Sequence, residues 1–332
     1  MDLTGKITMA HGSGGRATNE LIQKVFAHAF DNPVLDAMED AAVVQGCEKI
    51  AVTTDSFVVD PIEFPGGDIG RLAVCGTVND LLMRGATPKY LTCGCILQEG
   101  LEIATLERVV ASLADAAREA GVQIVAGDTK VVGGAGGLMI NTAGVGFVDS
   151  SLQISASNCQ PGDVLIASGH LGDHHATILS KRMGIENTIK SDLAPLGDMV
   201  QRLLQEGIQV HCLRDITRGG LGTVVKELAE ASNVTMALQE SQLPVAAQVR
   251  DFCGLMGLDP LYMGNEGKLL AVVAAKDASR ALELIKQSTY GADAAIIGQV
   301  TDEQAGMAYV ETAIGGKRML DILFGEGLPR IC

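Results

Sequence analysis

Apolar and polar positions along this chain alternate between two periods, which is typical of a mixed α/β protein. An amphipathic stretch over 101–121 predicts a helix that ends at Gly121, a residue suited to the position after a helix. A second helix is expected over 68–86, with Asp68 placed to cap its start. Between and around these helices the pattern predicts strands over 49–55, 90–98, 122–128 and 137–148.

The second half repeats the alternation after a polar, turn-rich stretch over 151–163. We place a domain boundary there, which predicts domains over 1–150 and 151–314. From Gly315 onward the periodicity is lost, and we expect 315–332 to form a mobile tail. The elements predicted for the second domain are strands over 164–169, 234–239, 268–275 and 294–300, and helices over 172–183, 192–206, 219–231, 245–256 and 278–287.

Composition narrows the class of protein. A chain of 332 residues, 47% of them apolar, can bury two cores of ordinary domain size. The net charge of −15 argues against a nucleic-acid partner, but it leaves ATP open because a metal ion can stand between carboxylates and phosphates. No run approaches the roughly 18 to 20 apolar residues of a membrane span. The start of the chain lacks a signal-peptide core, so we expect a cytoplasmic protein with no membrane partner.

Acidic residues recur at the ends of the predicted elements. Buried strands that end in aspartate would place carboxylates at one edge of a sheet, and Mg²⁺ prefers such hard oxygen ligands. Magnesium in turn neutralises phosphate charge during phosphoryl transfer. Any one of these aspartates could be an ordinary cap or turn residue. Their recurrence favours a magnesium–nucleotide site built from Asp40, Asp55, Asp80, Asp128 and Asp215.

Two glycine-rich loops are candidates for phosphate binding. The run HGSGG ends at Gly14 and Gly15 and precedes a helical stretch from Thr18, and consecutive amides without Cβ atoms can wrap a phosphate. The run RDITRGG places Arg218 before glycines that open a helix. Neither run is a Walker A motif, and no dinucleotide-binding fingerprint follows a first strand. Each loop could also be a plain turn.

Three further side chains have the chemistry of a reaction site. Lys130 follows closely after Asp128, and Glu266 precedes a buried strand. Each could contact phosphate or move a proton, although a solvated lysine and a turn glutamate are equally simple readings. His174 and His175 point about 100° apart on a helix, so they do not share a metal easily. We expect one of them, His174, to cap the helix or orient a substrate.

The cysteines separate into two kinds. Eight are present without a CxxC pair, and seven of them fit reduced, mostly buried thiols in a reducing compartment. Cys332 differs because it follows Pro-Arg-Ile at the end of the tail, where eight extended residues reach roughly 25 Å. A free thiol in that position is an oxidation liability. We therefore expect Cys332 to carry a chemical group.

Taken together, TTDSFVVDP, FPGGDIGRLAVCGTVND, AGDTKVV, RDITRGG, NEGKL and the terminal PRIC resemble the HypE family of hydrogenase maturation factors, the carbamoyl dehydratases. The resemblance runs along essentially the whole chain. It extends more distantly to the superfamily of aminoimidazole ribonucleotide synthetase, thiamine monophosphate kinase and selenophosphate synthetase. It implies a PurM-like fold of two α/β domains, a homodimer in which two N-terminal sheets join into a barrel, and ATP in a cleft near that barrel.

The resemblance also implies a reaction and its partners. The carbamoyltransferase HypF would load a carbamoyl group on Cys332, and the tail would then enter the ATP site. Phosphorylation and loss of the carbamoyl oxygen would leave an S-cyanide, which would pass to iron on the HypC–HypD complex for the nickel–iron hydrogenase centre. Two alternatives remain: a small-molecule kinase or phosphate-activating synthetase of the same superfamily, with Cys332 incidental, and a non-enzymatic carrier that uses the nucleotide as a switch.

The resemblance assigns roles to individual positions. Lys130 and Glu266 would manage the proton that leaves the carbamoyl nitrogen and the charge on its oxygen. Asn79 and Arg218 would help to position phosphates. The family usually reads Gly-Asp-His-Gly where this chain has His175 in place of the last glycine. The residues that would hold Mg²⁺ or ATP are Asp40, Asp55, Asp80, Asp128 and Asp215.

Overall fold

The structure is a computed structural model that describes residues 5–13, 16–36 and 41–323. These residues form two compact units, the first from 5–81 and 86–148 and the second from 82–85 and 149–323. Both units combine helices with a sheet, which confirms the predicted α/β class. Across the described part of the chain, no helix is both long and apolar enough to cross a membrane.

Unit 1 is built on a four-stranded sheet preceded by a helical N-terminal segment. Its elements are α1 (Arg16–Leu21), a π-helical segment (Ile22–Ala27), α2 (His28–Phe30), α3 (Pro33–Asp36), β1 (Ile50–Phe57), β2 (Glu63–Phe64), β3 (Gly67–Asp68), α4 (Ile69–Leu82), β4 (Thr87–Gln98), α5 (Ile103–Ala120), β5 (Gln123–Val132) and β6 (Leu138–Phe147). The strand order in the sheet is β1-β6-β4-β5, so β1 and β5 form its two edges. Only the pair β4 and β5 is parallel.

Helices α4 and α5 form as the sequence predicts. The carboxylate of Asp68 accepts the N–H groups of Gly70 and Arg71, at 2.7 and 3.0 Å, and so caps α4. Gly121 ends α5 in the left-handed region, with φ of 69°. A Cβ atom at Gly144 of β6 would lie 2.7 Å from a methyl carbon of Thr77 in α4. The helix therefore packs closely on the sheet.

The opposite face of this sheet is open in the single chain and carries apolar side chains. Ile50 and Val52 of β1 are 52% and 65% exposed. Ile96 of β4 and Val132 of β5 are also exposed. They share one face of the sheet, because Ile96 is paired with Lys130, two residues before Val132, in the parallel register. The side chains that alternate with them in β4 are buried, among them Cys95. One face of the sheet is therefore covered by helices, and the other is not.

Unit 2 contains a seven-stranded mixed sheet. Its elements are β7 (Val164–Ala167), α6 (Asp173–Met183), α7 (Gly197–Gln205), β8 (Val210–Asp215), α8 (Gly220–Ser232), β9 (Thr235–Gln239), α9 (Ala247–Met256), β10 (Leu269–Val273), α10 (Ala278–Lys286), β11 (Ala295–Thr301), β12 (Met307–Glu311) and β13 (Lys317–Met319). The strand order is β13-β12-β9-β11-β7-β10-β8. Strand β10, which lies between β7 and β8, is buried along its whole length, as its unbroken apolar run predicts.

The core of unit 2 lies on both faces of the inner strands of this sheet. Helix α8 buries Leu221, Val225 and Leu228 against alternate residues of the sheet, including Leu270. Helices α7 and α10 contact each other, and α10 also contacts β7. Strand β13 pairs with β12, so the sheet continues past Gly315, where the sequence predicts the start of a tail. The rest of that predicted tail, with Cys332, lies outside the described residues.

Candidate functional site

A cavity of about 590 Å³ lies in unit 1 between the N-terminal helical segment and β5. Pockets of 300 to 1,000 Å³ are typical of small-molecule and cofactor sites. The lining combines aromatic and aliphatic side chains, such as Ile22, Phe26 and Phe30, with polar ones, such as Thr18 and Asp128. A ligand that joins a flat apolar ring to a charged chain matches this lining.

Asp128 and Lys130 bring charge to this cavity. The ammonium group of Lys130 donates a hydrogen bond to the Asp128 carboxylate at 2.8 Å, and both side chains are exposed. An exposed ion pair of this kind contributes little to stability, so both groups can exchange partners with a ligand. The sequence predicts Asp128 at the end of a strand. The strand instead continues to Val132, because its pairing with β4 extends to Gln98.

The HGSGG run approaches the same strand. A Cβ atom at Gly12 would lie 2.8 Å from the backbone nitrogen of Val131, so glycine is required for this close approach. His11 is buried, and its Nδ1 accepts the backbone N–H of Thr8 at 3.0 Å. Gly12 lines the cavity. The predicted site residues Gly14, Gly15, Asp40 and Cys332 lie outside the described residues.

Asp55 and Asp80 both lie at the boundary between β1 and α4. The hydroxyl of Thr53 donates to the Asp80 carboxylate at 2.8 Å. Asp55 lies two residues further along the same face of β1, and its carboxylate would be 3.9 Å from a Cβ atom at Gly76 of α4. Asn79 is buried in the same helix. The structure therefore brings three of the predicted site residues, Asp55, Asn79 and Asp80, to one helix and the strand beneath it.

This pair of carboxylates is well separated from Asp128 within the single chain. Strands β1 and β5 are opposite edges of the sheet, about 14 Å apart at about 4.8 Å per strand. Asp55 faces α4, whereas Asp128 lies on the open face. The sequence leads us to expect these carboxylates at one edge of the sheet, but in the structure they lie at different edges. Among residues 5–13, 16–36 and 41–323, no three His, Cys, Asp or Glu side chains form a group that could hold a metal ion.

The RDITRGG run forms the turn between β8 and α8 in unit 2. Asp215 is the last residue of β8 and is partly buried, and Arg218 is exposed. Gly219 and Gly220 adopt φ values of 80° and 62°, which favour glycine. A Cβ atom at Gly220 would lie 2.5 Å from the carbonyl oxygen of Leu261. The backbone of the turn therefore requires these glycines, independently of any ligand that Arg218 binds.

Glu266 and His174 come together through one short segment of unit 2. Glu266 is buried in the turn before β10, and His174 is completely buried in α6. The Nδ1 atom of His174 lies 2.8 Å from the hydroxyl of Ser191. The carboxylate of the next residue, Asp192, accepts the backbone N–H of Glu266 at 3.2 Å. Residues 191–192 therefore link the two predicted site residues.

Asp192 contacts a predicted site residue in a way that the sequence pattern does not reveal. It falls at the start of the helix predicted over 192–206, where an aspartate would be taken for a cap. Helix α7 begins only at Gly197, and Asp192 is used in a tertiary contact instead. Pro195 is the signal that could have moved the predicted start, because proline removes a backbone donor within a helix.

His175, at the position where the resemblance implies a glycine, is buried beside His174. Its Nδ1 accepts the backbone N–H of Gly264 at 3.4 Å. Its Nε2 is buried and has no hydrogen-bond partner among the residues that the structure describes. Burial lowers the pKa of this imidazole to about 4, and His174 and Arg182 act in the same direction. The neutral ring is therefore the form that fits the fold.

We expect His175 to make the stability of the protein sensitive to mild acid. Its pKa in the folded state lies below the ordinary value of about 6.5, so its contribution is present above that value and is lost as the pH falls toward 4. Between pH 7 and pH 5 the loss amounts to about 2 kcal/mol of unfolding free energy. Denaturant unfolding of the wild type and of His175→Gln at both pH values measures it.

Asp173 acts with the opposite sign in the same pH range. Burial, and then the charge of Asp192, raise the pKa of Asp173 to about 6, so its contribution grows as the pH falls. Asp173 is present in both proteins, and its effect cancels in the comparison. Equal losses of stability in the wild type and in His175→Gln would contradict the assignment to His175.

Comparison with known proteins places this geometry in context. The N-terminal domain of AIR synthase related proteins matches residues 38–148, and their C-terminal domain matches residues 160–311. The carbamoyl dehydratase HypE of Azotobacter vinelandii is 49% identical over 99% of this chain and 98% of its own length. HypE of Escherichia coli is 46% identical over 98% and 99% of the two chains.

Solved structures agree with the sequence comparison. A crystal structure of the hydrogenase maturation protein HypE in complex with ATP has a TM-score of 0.94 and 47% identity, over 98% of this chain and 99% of that one. HypE from a HypE–HypF complex has a TM-score of 0.80 and 44% identity, over 93% and 100%. Thiamine-monophosphate kinase from Stenotrophomonas maltophilia has a TM-score of 0.68 at 21% identity, over 92% and 98%, which shows a shared fold alone.

Proposed function

The chain belongs to the HypE family of carbamoyl dehydratases, and from this premise we propose how its own residues bring about the dehydration. It is an enzyme of hydrogenase maturation that binds ATP. The observation that carries this conclusion is 49% identity to a carbamoyl dehydratase along essentially the whole chain. The alternative of a small-molecule kinase is not favoured, because the likeness to such a kinase extends to the fold alone.

We propose that the substrate is an S-carbamoyl group on Cys332. ATP supplies the phosphoryl group that converts the carbamoyl oxygen, a poor leaving group, into a phosphate that departs readily. The two N–H protons and the oxygen are lost, and a C≡N bond forms on the sulfur. The products are an S-cyanide on Cys332, ADP, phosphate and a proton. Water must be kept from the intermediate, which it would hydrolyse, and a tail that fills the pocket would exclude it.

Lys130 and Glu266 are the residues that we propose for proton and charge management. Lys130 is an exposed cation on the cavity lining, and it can leave Asp128 to meet negative charge on the carbamoyl oxygen. Glu266 carries a carboxylate that can accept a proton from the carbamoyl nitrogen. His174, held on Ser191, would orient the substrate near Glu266. In one chain, Lys130 and Glu266 belong to different units.

The cavity of unit 1 is the proposed binding site for ATP. Its volume of about 590 Å³ and its mixed lining suit a purine ring joined to a polyphosphate. The HGSGG run, with Gly14 and Gly15, would supply backbone N–H groups to phosphate oxygens. Asn79 and Arg218 would help to position the same phosphates.

Magnesium is proposed as the companion of ATP. Mg²⁺ commonly binds one or two carboxylates and takes its other ligands from phosphates and water. Asp55 and Asp80, on one boundary between β1 and α4, fit that pattern. Because β1 and β5 are opposite edges of the sheet, these two carboxylates would reach the nucleotide in the cavity from a second copy of the chain. When bound, the ion would neutralise charge on the phosphates. The other carboxylates that we propose for the metal or the nucleotide are Asp40, Asp128 and Asp215.

Replacing Asp80 by alanine should weaken the binding of Mg–ATP by about tenfold or more, since a carboxylate ligand is lost. Calorimetric titration with Mg–ATP and with metal-free ATP measures the effect, which should be large only when the metal is present. Asp115→Ala on α5 removes an exposed carboxylate and serves as the control. Equal affinity of Asp80→Ala and the wild type for Mg–ATP would remove Asp80 from the site.

A homodimer is the proposed assembly. The open face of the unit 1 sheet presents Ile50, Val52, Ile96 and Val132 to solvent in the single chain. Burial of apolar area of this kind contributes roughly 25 cal/mol per Å². A second copy that closes its own sheet against this one into a barrel would cover the face. In such a dimer, the second copy would complete a site that needs residues from both edges of the sheet.

The remaining partners follow the family. The structure of a HypE–HypF complex supports HypF as a partner. We propose that HypF loads Cys332 and that the HypC–HypD complex accepts the cyanide, in the cytoplasm. The domain boundary between 1–150 and 151–314 is also kept as a proposal, and the second domain extends beyond residue 314 to include β13.

Mass spectrometry tests the reaction directly. After incubation with HypF and a carbamoyl donor, the C-terminal peptide should gain the mass of a carbamoyl group. Addition of ATP should then lower that mass by one water. A carbamoylated peptide that keeps its mass while ATP is hydrolysed would contradict the dehydration and favour a kinase of the same superfamily.

A further inference from the structure

The turn over residues 263–268, which carries Glu266, is fixed by side chains from other parts of unit 2. We call it the Glu266 turn. Asn265 is completely buried; its amide donates to the carbonyl of Ile216 at 3.0 Å and accepts the N–H of Gly172 at 2.8 Å. These contacts attach the turn to the connection between β8 and α8 on one side and to the start of α6 on the other. They hold the turn but do not touch the backbone of Glu266 itself.

Asp192 does contact that backbone. One of its carboxylate oxygens accepts the N–H of Glu266 at 3.2 Å, and the other accepts the N–H of Gly267 at 3.1 Å. The two donors flank the Cα atom of Glu266, so this carboxylate sets the direction in which the Glu266 side chain leaves the backbone. The side chain of Asp192 is 2% exposed, and hydrogen bonds from amides to a buried charge are stronger than neutral ones.

Lys268 balances the buried charge of Asp192. Its ammonium group lies 3.8 Å from the Asp192 carboxylate and donates to the carbonyl of Gly267 at 3.2 Å. A buried carboxylate without a partner is costly, so Lys268 offsets the cost of burying the carboxylate that accepts these two hydrogen bonds.

Gly267 shows how closely the two segments fit. A Cβ atom there would lie 1.9 Å from the carbonyl oxygen of Asp192 and 2.7 Å from the nitrogen of Ala194. Backbone meets backbone at this point, and neither segment can move aside as a flexible side chain would. The residues around Asp192 and the Glu266 turn therefore form one rigid support.

We propose that Asp192 is a positioning residue for the dehydration, acting through Glu266. The inference rests on the role proposed for Glu266 and extends it. A catalytic group displaced by about 1 Å can lose roughly a hundredfold in rate. Asp192 would hold the Glu266 carboxylate where it meets the carbamoyl nitrogen, without contacting the substrate itself.

Single-turnover dehydration of carbamoylated protein tests the proposal. In Asp192→Ala, we expect the rate constant to fall by about a hundredfold while the apparent affinity for ATP stays within about twofold. Asp192→Asn keeps one accepting oxygen but presents an amide donor to the second N–H, and we expect an intermediate rate. If the alanine variant does not fold, the asparagine variant carries the test.

Asp163 offers a matched control in the same unit. It is a buried aspartate that accepts the N–H of Gln160 at 2.8 Å and pairs with His211 at 2.7 Å. It precedes β7, at the opposite end of the sheet from the Glu266 turn. Asp163→Ala should lose stability as Asp192→Ala does, yet keep its rate. A similar loss of rate in both variants would show a structural effect only and would overturn the proposal.

A double variant separates positioning from other effects. If Asp192 acts only through Glu266, adding Asp192→Ala to Glu266→Ala should leave the rate at that of Glu266→Ala alone. Multiplication of the two losses would overturn the proposal. If Glu266→Ala is inactive and Asp192→Ala is fully active, the positioning role of Asp192 is rejected and the proposed function is unaffected. A fully active Glu266→Ala would reject the role of Glu266, and the positioning role with it.

Discussion

Cys332→Ala should form no thiocyanate while binding ATP as the wild type does. The variant removes the sulfur on which the carbamoyl group would be carried, so neither loading nor dehydration has a substrate. The described residues that line the cavity of unit 1 are all kept, so nucleotide affinity should stay within about twofold. Mass spectrometry of the protein after incubation with HypF, a carbamoyl donor and ATP measures the product, and calorimetry measures the affinity.

Cys47 provides the control for a general thiol effect. Of the seven cysteines in the part of the chain that the structure describes, it is the exposed one, and the other six are buried. Cys47→Ala should therefore react as the wild type does. Thiocyanate formed at an undiminished rate in Cys332→Ala would refute the proposed carrier, and modification found on Cys47 would identify the alternative.

Lys130→Ala should lower the rate of dehydration by about a hundredfold or more, which is the range for the loss of a group that stabilises developing charge. The ammonium group of Lys130 would balance charge on the carbamoyl oxygen, and no other lysine lines the cavity within the described residues. The affinity for ATP should change by only a few fold, because the remaining lining is intact. Single-turnover assays on carbamoylated protein separate the two quantities.

Lys89 is a matched control in the next strand of the same sheet. It lies on β4 with its ammonium group 5.9 Å from the ring centre of Phe147 and does not line the cavity. Lys89→Ala should keep the wild-type rate. A loss of ATP binding in Lys130→Ala that accounts for the whole loss of rate would assign Lys130 to nucleotide binding and exclude the chemical role.

The sequence predicts regular elements well where one local signal decides them. Asp68 caps α4, Gly121 ends α5, and the apolar run of β10 is a buried strand. Prediction from the sequence fails where a tertiary contact determines the bounds of an element. Helix α7 begins at Gly197, because the residues before it include Asp192, which contacts the Glu266 turn instead. No local sequence pattern indicates that contact. Strands β12 and β13 are short and are not predicted, because they are fixed by pairing with β9 and with each other.

The candidate site is predicted in composition and less well in arrangement. Asp55 and Asp80 are recognisable as acidic residues beside buried elements, and the structure places both at the boundary of β1 and α4. Their separation from Asp128 depends on the strand order, in which β6 and β4 lie between β1 and β5. Strand order is a long-range property, and residue spacing along the chain does not contain it. The same holds for Asp192 beneath Glu266.

The strand order of unit 2 has a consequence for how the protein is made. Strand β7 lies between β10 and β11, which begin about a hundred residues or more after β7 ends. At 5 to 20 residues per second, a ribosome needs roughly 5 to 20 s to synthesise the intervening chain. During that time both edges of the apolar strand β7 are unpaired, and each edge is a template for incorrect strand pairing. Newly made protein should therefore depend on chaperones until β11 emerges.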